Sequence, residues 1–283
     1  MRNKIVKLEE VLSVMGDHVV GVYGPSKGIF IDNLADVDHT IATTLDWVNS
    51  SKKNKQEIAE SSVARVIIVD QTVVYSKILE DQGKTLIVVD KNPRKMIALV
   101  STAFFAPHNE PAIHPTAVID PEAKIGQNVY IGPYCVIGKA TVGDGCQLES
   151  FVRIYDEVVL GEECHIYDHV VLGAPGFGVE KDDNKNLFRF PQIGRLIIGN
   201  HVDIGSLSSV DRGALSDTII GDYTKVDSLC KIAHNNVIGK NVVITGCASI
   251  AGSNVIEDGA WIGPNSSLIQ WGHIGKNAFV GMG

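Results

Sequence analysis

The chain has 283 residues, of which 45% are apolar and 20% charged, and its formal net charge is −8 at pH 7. This length can bury one large core or two modest ones, no apolar run reaches the roughly 18 residues of a membrane span, and MRNKIVKLEE lacks the apolar region of a signal peptide. We therefore expect a soluble, cytoplasmic protein, and the acidic balance without a dense Lys/Arg run argues against a nucleic-acid partner.

The N-terminal part of the chain has the pattern of a small α/β domain. An amphipathic helix is predicted for LEEVLSVMG, buried strands for ARVIIVD and KTLIVVD, and a further helix for NPRKMIALVSTAFF. The stretch Ala106-Pro107-His108-Asn109-Glu110-Pro111 is typical of a linker. We therefore divide the chain into an α/β domain over residues 1–106 and a second domain over residues 107–283.

The second domain has a period of six residues. Its last part places an aliphatic residue at every sixth position, namely Ile220, Val226, Ile232, Ile238, Ile244, Ile250, Ile256, Ile262, Leu268, Ile274 and Val280. Shorter trains with the same step run from Ile113 to Ile137, from Val142 to Leu172 and from Ile198 to Val210. This is the period of a parallel β-helix, in which each short strand sends one aliphatic side chain inward.

Glycine follows the aliphatic residue of many repeats, for example at Gly126, Gly221 and Gly239. We expect it there because tight corners need backbone angles that other residues avoid. The trains resemble the left-handed β-helix of hexapeptide-repeat acyltransferases, in which three hexapeptides form one triangular coil and the proteins assemble as trimers. The resemblance therefore implies a left-handed parallel β-helix preceded by a small α/β domain, and a homotrimer.

The five cysteines are scattered along the second domain without a CxxC pair. Neither a zinc site nor a disulfide framework is indicated by this spacing. We interpret all five as small buried hydrophobic residues. They are Cys135, Cys146, Cys164, Cys230 and Cys247.

Two insertions interrupt the period: residues 173–197, which include GAPGFG, and extra residues near ALSD. Loops ejected from a rigid solenoid often build its binding face. GAPGFG neither follows a nucleotide-fold strand nor opens a helix, so we reject a dinucleotide-binding loop. Counting coils across the insertions gives one column of residues, which contains Arg212, His234, Gly252 and Gln270.

His234 stands two residues after the inward Ile232, so its imidazole is predicted to point out of the prism. A lone surface histidine is most often only solvated, and a general base is the alternative reading of this spacing. The backbone N–H of Gly252, which no side chain obstructs, could donate to an oxyanion.

Several motifs together resemble the UDP-3-O-(3-hydroxyacyl)glucosamine N-acyltransferases of lipid A biosynthesis: PQIGRLIIGNHVDIGS, SVDRGALSDTIIGD, KIAHNNVIG, GAPGFG and ASIAGSN. The resemblance is close over the β-helix and looser over the α/β domain. It implies transfer of a 3-hydroxyacyl chain from acyl carrier protein to the 2-amino group of UDP-3-O-acylglucosamine, with no metal and no other cofactor. In that family the IAHN histidine, here His234, is the catalytic base, and the glycine one coil above, here Gly252, is the oxyanion donor.

Acidic side chains near His234 could orient the base, and Asp211 and Asp227 are the candidates. For Asp211 the alternative is an ion pair with the adjacent loop or with Arg212, which we regard as a supporting residue. Phe177 could instead pack under its own loop. The candidates for the acceptor or acyl groove are Phe177, Gly178, Gln192, Gln270 and His273.

The resemblance also implies that the α/β domain binds uridine through an aromatic–Asn–Tyr pattern. In LDWVNSSKKN, Trp47 could stack on uracil and Asn49 could form a hydrogen bond. The expected tyrosine is missing, Asn49 is displaced by one residue, and Trp47 serves equally well as a core residue.

Three departures from the family pattern favour other readings. Asp227-Ser228-Leu229 replaces a more polar segment, and Trp271 occupies the place of a second family histidine, since His273 stands directly before Ile274. The chain also ends before the further coil and C-terminal helices that help the family hold the carrier protein, either because it is truncated or because this protein dispenses with them. The alternatives are therefore N-acyl transfer from acyl-CoA to another nucleotide-linked amino sugar, and a catalytically degenerate trimeric paralogue that only binds or acts as a scaffold.

Overall fold

The computed structural model describes residues 4–90, 92–107 and 109–283. The chain separates into two compact units, Met1–His108 and Asn109–Gly283. His108 of the predicted linker lies outside the described residues. The elements of the first unit are β1 Val6–Lys7, α1 Leu8–Met15, β2 Val19–Tyr23, β3 Phe30–Ile31, β4 Leu45–Trp47, α2 Lys55–Ser61, β5 Val66–Asp70, α3 Lys77–Asp81, β6 Thr85–Val89 and α4 Pro93–Val100.

The first unit is built around one mixed sheet with the strand order β2-β6-β5-β4. β4, β5 and β6 are parallel, and β2 adds an antiparallel edge. Continuous apolar runs form β5 and β6 because both faces of the sheet are covered. The predicted helices and strands are confirmed, and short 3₁₀ turns lie at Gly16–His18 and Val37–His39.

The predicted helix over NPRKMIALVSTAFF divides into two kinds of helix. Asn92 caps α4 by accepting a hydrogen bond from the backbone N–H of Arg94 at 3.0 Å, and Pro93 occupies the first turn. Ser101 Oγ donates to the carbonyl of Ile97 at 2.6 Å, where α4 ends and a π-helix begins over Ser101–Phe105. A serine hydroxyl that bonds the preceding turn competes with the regular helical pattern.

The second unit consists of short parallel strands and one inserted hairpin. In chain order the strands are β7 Ala112–Ile113, β8 Val118–Ile119, β9 Lys124–Ile125, β10 Tyr130–Ile131, β11 Val136–Ile137, β12 Thr141–Val142, β13 Gln147–Leu148, β14 Arg153–Ile154, β15 Val158–Leu160, β16 His165–Ile166, β17 Val171–Ala174, β18 Val179–Lys181, β19 Leu187–Arg189, β20 Leu196–Ile198, β21 Asp203–Ile204, β22 Ser209–Asp211, β23 Thr218–Ile220, β24 Lys225–Val226, β25 Lys231–Ile232, β26 Val237–Ile238, β27 Val243–Ile244, β28 Ser249–Ile250, β29 Val255–Ile256, β30 Trp261–Ile262, β31 Ser267–Leu268, β32 His273–Ile274 and β33 Phe279–Val280.

Every third strand of this series joins the same sheet, so three parallel sheets form the faces of a β-helix. The first face runs from β7 to β33, the second from β8 to β31, and the third from β9 to β32. The hairpin β18–β19 is antiparallel and stands outside these faces. On the second face Ile232 pairs with Val210 on one side and with Ile250 on the other, and all three are fully buried. The hexapeptide aliphatics therefore form the core of the β-helix.

Glycine is needed after the core aliphatic residues for a reason other than the predicted backbone angles. A Cβ at Gly126 would lie 2.3 Å from Oδ1 of Asp144, and a Cβ at Gly221 would lie 2.6 Å from the carbonyl carbon of Gly239. Neither glycine has a positive φ, whereas Asn235 and Trp271, with φ of 59° and 61°, do. The glycines thus permit close stacking of coils, and the explanation by backbone angle was wrong at these positions.

The cysteine prediction holds for four residues and fails for one. Cys135, Cys146, Cys164 and Cys230 are buried, whereas Cys247 is exposed. Cys247 has φ of 61° at a corner between strands, where the side chain points away from the core. No helix among the described residues is long and apolar enough to cross a membrane.

Candidate active site at the corner of the β-helix

His234 follows β25 at a corner of the prism and is half-buried. The corner is held from inside by Asn236, a fully buried residue whose Nδ2 donates to the carbonyls of Ala233 at 2.7 Å and Ala251 at 2.9 Å. Asn254 repeats the arrangement one coil further, since its N–H donates to Oδ1 of Asn236 at 3.0 Å. This asparagine ladder satisfies the polar backbone groups of the turn and fixes the direction of His234.

Two glycines enclose the imidazole of His234. A Cβ at Gly252 would lie 2.8 Å from Cε1 and 2.9 Å from Nε2 of the ring. A Cβ at Gly176, in the GAPGFG loop, would lie 2.9 Å from the Cβ of His234 and 3.0 Å from its Cδ2. Any larger residue at either position would have to displace the ring, so both glycines make room for the histidine.

Gly252 lies one coil above His234 and against its imidazole ring. Ser253, the next residue, donates its N–H to the carbonyl of His234 at 3.0 Å. By contrast, no hydrogen bond within the described part of the chain uses the N–H of Gly252. A residue that lies against the imidazole therefore has an unused backbone donor, and its oxyanion role stays a prediction.

Asn235 fixes the tautomer of His234. Its Nδ2 donates to the carbonyl of Ser216 at 3.0 Å, and its Oδ1 accepts from the backbone N–H of Ala214 at 3.0 Å. These backbone partners assign the amide orientation, so the Oδ1 atom that lies 2.8 Å from Nδ1 of His234 can only accept. His234 therefore carries its proton on Nδ1, and Nε2 has a free lone pair. A neutral imidazole with this tautomer can act as a general base through Nε2.

The two insertions of the β-helix bond to each other beside Asn235. The backbone N–H of Ile193, at the end of the first insertion, donates to the carbonyl of Ala214 in the second at 2.7 Å. Arg195 and Asp217 add an ion pair with an Nη2–Oδ2 distance of 2.8 Å, and hydrogen bonds from Arg195 lower the pKa of Asp217. The inserted loops thus form a rigid frame for the amide that orients His234. Asn235 was missed in the sequence, where its position directly after His234 in IAHN was the available signal.

Asp211 lies close to His234 but is engaged elsewhere. Its side chain is almost completely buried and forms an ion pair with Lys231. Burial raises the pKa of the Asp211 carboxyl, while Lys231 and His234 oppose the rise. The ion-pair alternative is therefore the one present, although with Lys231 in place of Arg212.

Arg212 and Asp227 brace the backbone. Nε of Arg212 donates to the carbonyl of Gly173 at 3.0 Å, at the root of the first insertion, and Nη2 donates to the carbonyl of Asp156. Asp227 accepts from the backbone N–H groups of Ser228 at 2.7 Å and Gly246 at 3.0 Å. Neither side chain forms a hydrogen bond with His234 among the described residues, so both have supporting contacts only.

The GAPGFG loop brings Gln192 next to the base. Oε1 of Gln192 would lie 2.9 Å from a Cβ at Gly176, which itself contacts His234. Nε2 of Gln192 donates to the carbonyl of Phe190 at 3.3 Å, and Oε1 is buried with no hydrogen-bond partner among the described residues. Phe177 is 74% exposed instead of packing under its loop. Gly178 lies against Gln192, since a Cβ there would be 3.3 Å from Nε2.

The remaining candidates are distributed over both units. Gln270 is exposed two coils above His234, while His273 lies on the third face, where Nε2 contacts Oε1 of Glu257 at 2.8 Å. In the first unit, Trp47 is half-buried against the core of that unit. Asn49 accepts hydrogen bonds from both the N–H and Oγ of Ser51 at 3.0 Å, so its side chain closes a local turn. The roles of these residues stay predictions.

Comparison with known proteins finds relatives at the level of sequence and fold. The chain is 36% identical over 241 residues to a UDP-3-O-acylglucosamine N-acyltransferase 1 of Francisella tularensis, covering 75% of this chain and 69% of the relative. It is 40% identical over 186 residues to a UDP-3-O-acylglucosamine N-acyltransferase of Coxiella burnetii, covering 58% of this chain and 54% of the relative. No protein-family model matches the chain.

Solved structures of UDP-N-acetylglucosamine acyltransferases share the fold. The Francisella novicida structure has a TM-score of 0.54 at 26% identity and covers 59% of this chain and 60% of its own. The Arabidopsis structure has a TM-score of 0.51 at 30% identity and covers 61% of this chain and 66% of its own. The matches span roughly half to two thirds of these relatives.

The repeated parallel coils together with these neighbours define the protein as a hexapeptide-repeat acyltransferase, and the predicted left-handed parallel β-helix preceded by a small α/β region is confirmed. Within that class, the chain belongs to the family of UDP-3-O-acylglucosamine N-acyltransferases. The family resemblance expected from the IAHN and DRGALSD motifs is confirmed.

Proposed function

We propose that the protein transfers a 3-hydroxyacyl chain from acyl carrier protein to the 2-amino group of UDP-3-O-acylglucosamine, as a step of lipid A biosynthesis. The acceptor is supported by the names of the relatives at 36% and 40% identity. The observation that carries the mechanism is the 2.8 Å contact between Nδ1 of His234 and Oδ1 of Asn235, because it leaves Nε2 able to accept a proton.

The reaction follows from the position of Nε2 beside Gly252. The acceptor nitrogen attacks the thioester carbonyl while Nε2 of His234 takes one of its protons, which forms the C–N bond. The negative charge on the carbonyl oxygen is stabilised by the N–H of Gly252. When the tetrahedral intermediate collapses, the C–S bond breaks and the protonated His234 returns the proton to the departing sulfur. The products are the amide and the free carrier thiol.

The proposal also covers the cofactor requirement, the oligomeric state and the location of the protein. A thioester is already activated for attack, so we propose that proton transfer suffices and that no metal or cofactor takes part. A homotrimer is supported by the half-exposed Ile219, Val237 and Val255, which lie in register on the third face and suit a partner copy. The cytoplasm stays the proposed location.

The proposal is tested by turnover of purified protein with 3-hydroxytetradecanoyl carrier protein and UDP-3-O-acylglucosamine. His234→Ala should lower kcat by at least about 100-fold, because general-base catalysis contributes about that much or more. His114→Ala is the matched control, since this exposed histidine directly follows β7 on the first coil of the β-helix, and it should keep kcat within about twofold. Equal activity of the wild type and His234→Ala would overturn the mechanism.

A second candidate is N-acyl transfer from acyl-CoA to another nucleotide-linked amino sugar. It is favoured by the first unit, where Trp47 packs against the core and Oδ1 of Asn49 accepts two hydrogen bonds within its own turn. Parallel assays with 3-hydroxyacyl-CoA and other UDP-amino sugars decide between the two. A wild type that binds UDP-sugars in a thermal shift assay but turns none over would support the degenerate paralogue.

A further inference from the structure

Asp211 is a buried acidic residue that the proposed acyl transfer does not use. Its side chain is only 4% exposed and forms an ion pair with Lys231. The ion pair between Lys225 and Asp203 on the first face is different, because it leaves the carboxylate 38% exposed. Apolar residues of similar volume often stabilise a fold as well as a buried ion pair does. The buried pair of Asp211 and Lys231 therefore calls for an explanation other than stability.

The register of the coils places this carboxylate next to the base. Val210 pairs with Ile232, so Asp211 lies one coil below Ala233, the residue that precedes His234. Since neighbouring coils are about 4.8 Å apart and successive Cα atoms about 3.8 Å apart, the Cα atoms of Asp211 and His234 are on the order of 6 Å apart. A charge at this range alters the balance between neutral and protonated imidazole.

The coupling between the two groups also acts on the carboxyl. Burial raises the pKa of Asp211, while Lys231 and protonated His234 oppose the rise. Buried charges are screened by salt much less than exposed ones. The charge of Asp211 is therefore felt at the imidazole unless a cation in contact with it cancels the charge.

The other charged groups around His234 are fixed. Arg212, one coil below, keeps its positive charge at every working pH and donates to two backbone carbonyls. Behind Asn235, Arg195 and Asp217 form an ion pair with each other. The residues that contact the imidazole from the coil above and from the first insertion, Gly252 and Gly176, carry no charge.

We propose that Lys231, acting through Asp211, keeps the imidazole of His234 neutral in the pH range in which the base works. This inference rests on the proposed function, because it assigns His234 the role of base. Without Lys231, the buried carboxylate favours protonated imidazole, which cannot accept a proton from the acceptor nitrogen. Lys231 is a positioning residue in this sense, since it acts on the base only through the charge of Asp211.

The first measurement is the pH profile of kcat/KM for acyl transfer. In Lys231→Met the acidic limb should move to higher pH, so that kcat/KM at about pH 5.5 falls about tenfold while the plateau value stays within about twofold. In Asp211→Asn the remaining lysine should move the same limb to lower pH. The double variant should return the limb to its wild-type position. An unmoved limb in both single variants, or movement in the same direction, would overturn the proposal.

Three further variants guard against a purely structural effect. Lys231→Met leaves a buried charge without its partner and costs stability, so Asp211→Asn keeps the proposal testable if Lys231→Met does not fold. Lys231→Arg retains the cation and should retain the wild-type profile. Lys225→Met is the matched control, because it removes the lysine of the more exposed ion pair on the first face and should leave the limb in place. A limb that moves equally in Lys225→Met would overturn the proposal.

A second measurement separates this inference from the proposed function. The NMR signal of the His234 ring, assigned by its loss in His234→Ala, is titrated without substrates. Its midpoint should move to higher pH in Lys231→Met and to lower pH in Asp211→Asn. These movements in a protein without turnover would retain the charge coupling and reject the transferase. Turnover with unmoved midpoints would retain the transferase and overturn the coupling.

Discussion

Nδ1 of His234 lies 2.8 Å from Oδ1 of Asn235, the next residue of the chain. Neighbouring side chains in an extended segment point to opposite sides, so this contact depends on the left-handed corner, where Asn235 has φ of 59°. Asparagine tolerates that conformation better than most residues. The corner that turns the coil therefore also brings the amide back onto the imidazole, and one residue serves both the fold and the base.

Replacing Asn235 should slow catalysis while binding stays nearly intact. In Asn235→Ala the imidazole loses the acceptor that holds the proton on Nδ1, and the base is correctly protonated and oriented only part of the time. We expect kcat to fall by about 10- to 100-fold with little change in KM, measured by steady-state acyl transfer.

Two variants show whether the effect comes from the tautomer. Asn241 occupies an equivalent left-handed corner, with φ of 55°, on another edge of the prism, so Asn241→Ala should cost stability without lowering kcat. Asn235→Asp keeps an acceptor for the Nδ1 proton and should therefore retain more of the wild-type kcat than Asn235→Ala. A kcat loss of equal size in Asn241→Ala would contradict the assigned role.

The glycines that enclose the imidazole should tolerate no side chain. Alanine at Gly176 or Gly252 would place a Cβ within 3.0 Å of His234 atoms, and a displacement of about 1 Å in a catalytic group costs about 100-fold in rate. We expect kcat/KM to fall by that amount in both variants. Gly275→Ala is the control, since no atom lies within 4 Å of its Cβ position and it should remain active. A fully active Gly252→Ala enzyme would contradict the enclosed geometry.

The hexapeptide period predicted the fold because it is a local rule repeated many times. Each aliphatic residue, such as Ile232 or Ile250, packs only against its own strand and the neighbouring coils. The six-residue spacing in the sequence therefore identifies the inward-facing residues directly. The same arithmetic placed Gly252 above His234, and Arg212 below it despite the insertion between Val210 and Ile220. These parts of the candidate site follow from register alone.

The partners of the base depended on loops that break the register. One insertion supplies Ala214 and Ser216, which form hydrogen bonds with Asn235. The other insertion supplies Gly176 and Gln192. No period relates these residues, because the loops are positioned by bonds to one another. Lys231 likewise replaced Arg212 as the partner of Asp211, since both project from the same face and the arginine is used to hold the root of a loop. Sequence spacing does not determine such choices.

The buried Asp211 should make stability depend on pH in an unusual direction. Burial raises its pKa above the ordinary value of 3.8, so the folded protein binds this proton more tightly than the unfolded chain. The carboxyl therefore lowers the free energy of unfolding progressively as pH rises from 3.8 to the folded-state pKa, and the penalty is then constant. The Tm difference between Asp211→Asn and the wild type should grow in favour of the variant over this interval, as thermal unfolding from about pH 3 to pH 7 would show.

Asp217 supplies the matched control of opposite sign. Hydrogen bonds from Arg195 lower the pKa of Asp217, so its carboxylate stabilises the fold at pH values above its ordinary pKa, and the effect disappears as pH falls through the folded-state pKa. Asp217→Asn should therefore lower Tm at neutral pH and not in strong acid. Parallel pH trends for the two variants would contradict the different environments of the two carboxyls.

The cysteines should divide into one reactive thiol and four protected ones. Cys247 is exposed at its corner, whereas burial raises the pKa of the Cys135 and Cys230 thiols and keeps them from solvent. A maleimide reagent added to the folded protein should label Cys247 rapidly, and the other four thiols should react only after denaturation, as peptide mass spectrometry can follow. Cys247→Ser is the control and should abolish the rapid phase. Rapid labelling of Cys230 in the folded protein would contradict the closed packing of the coils.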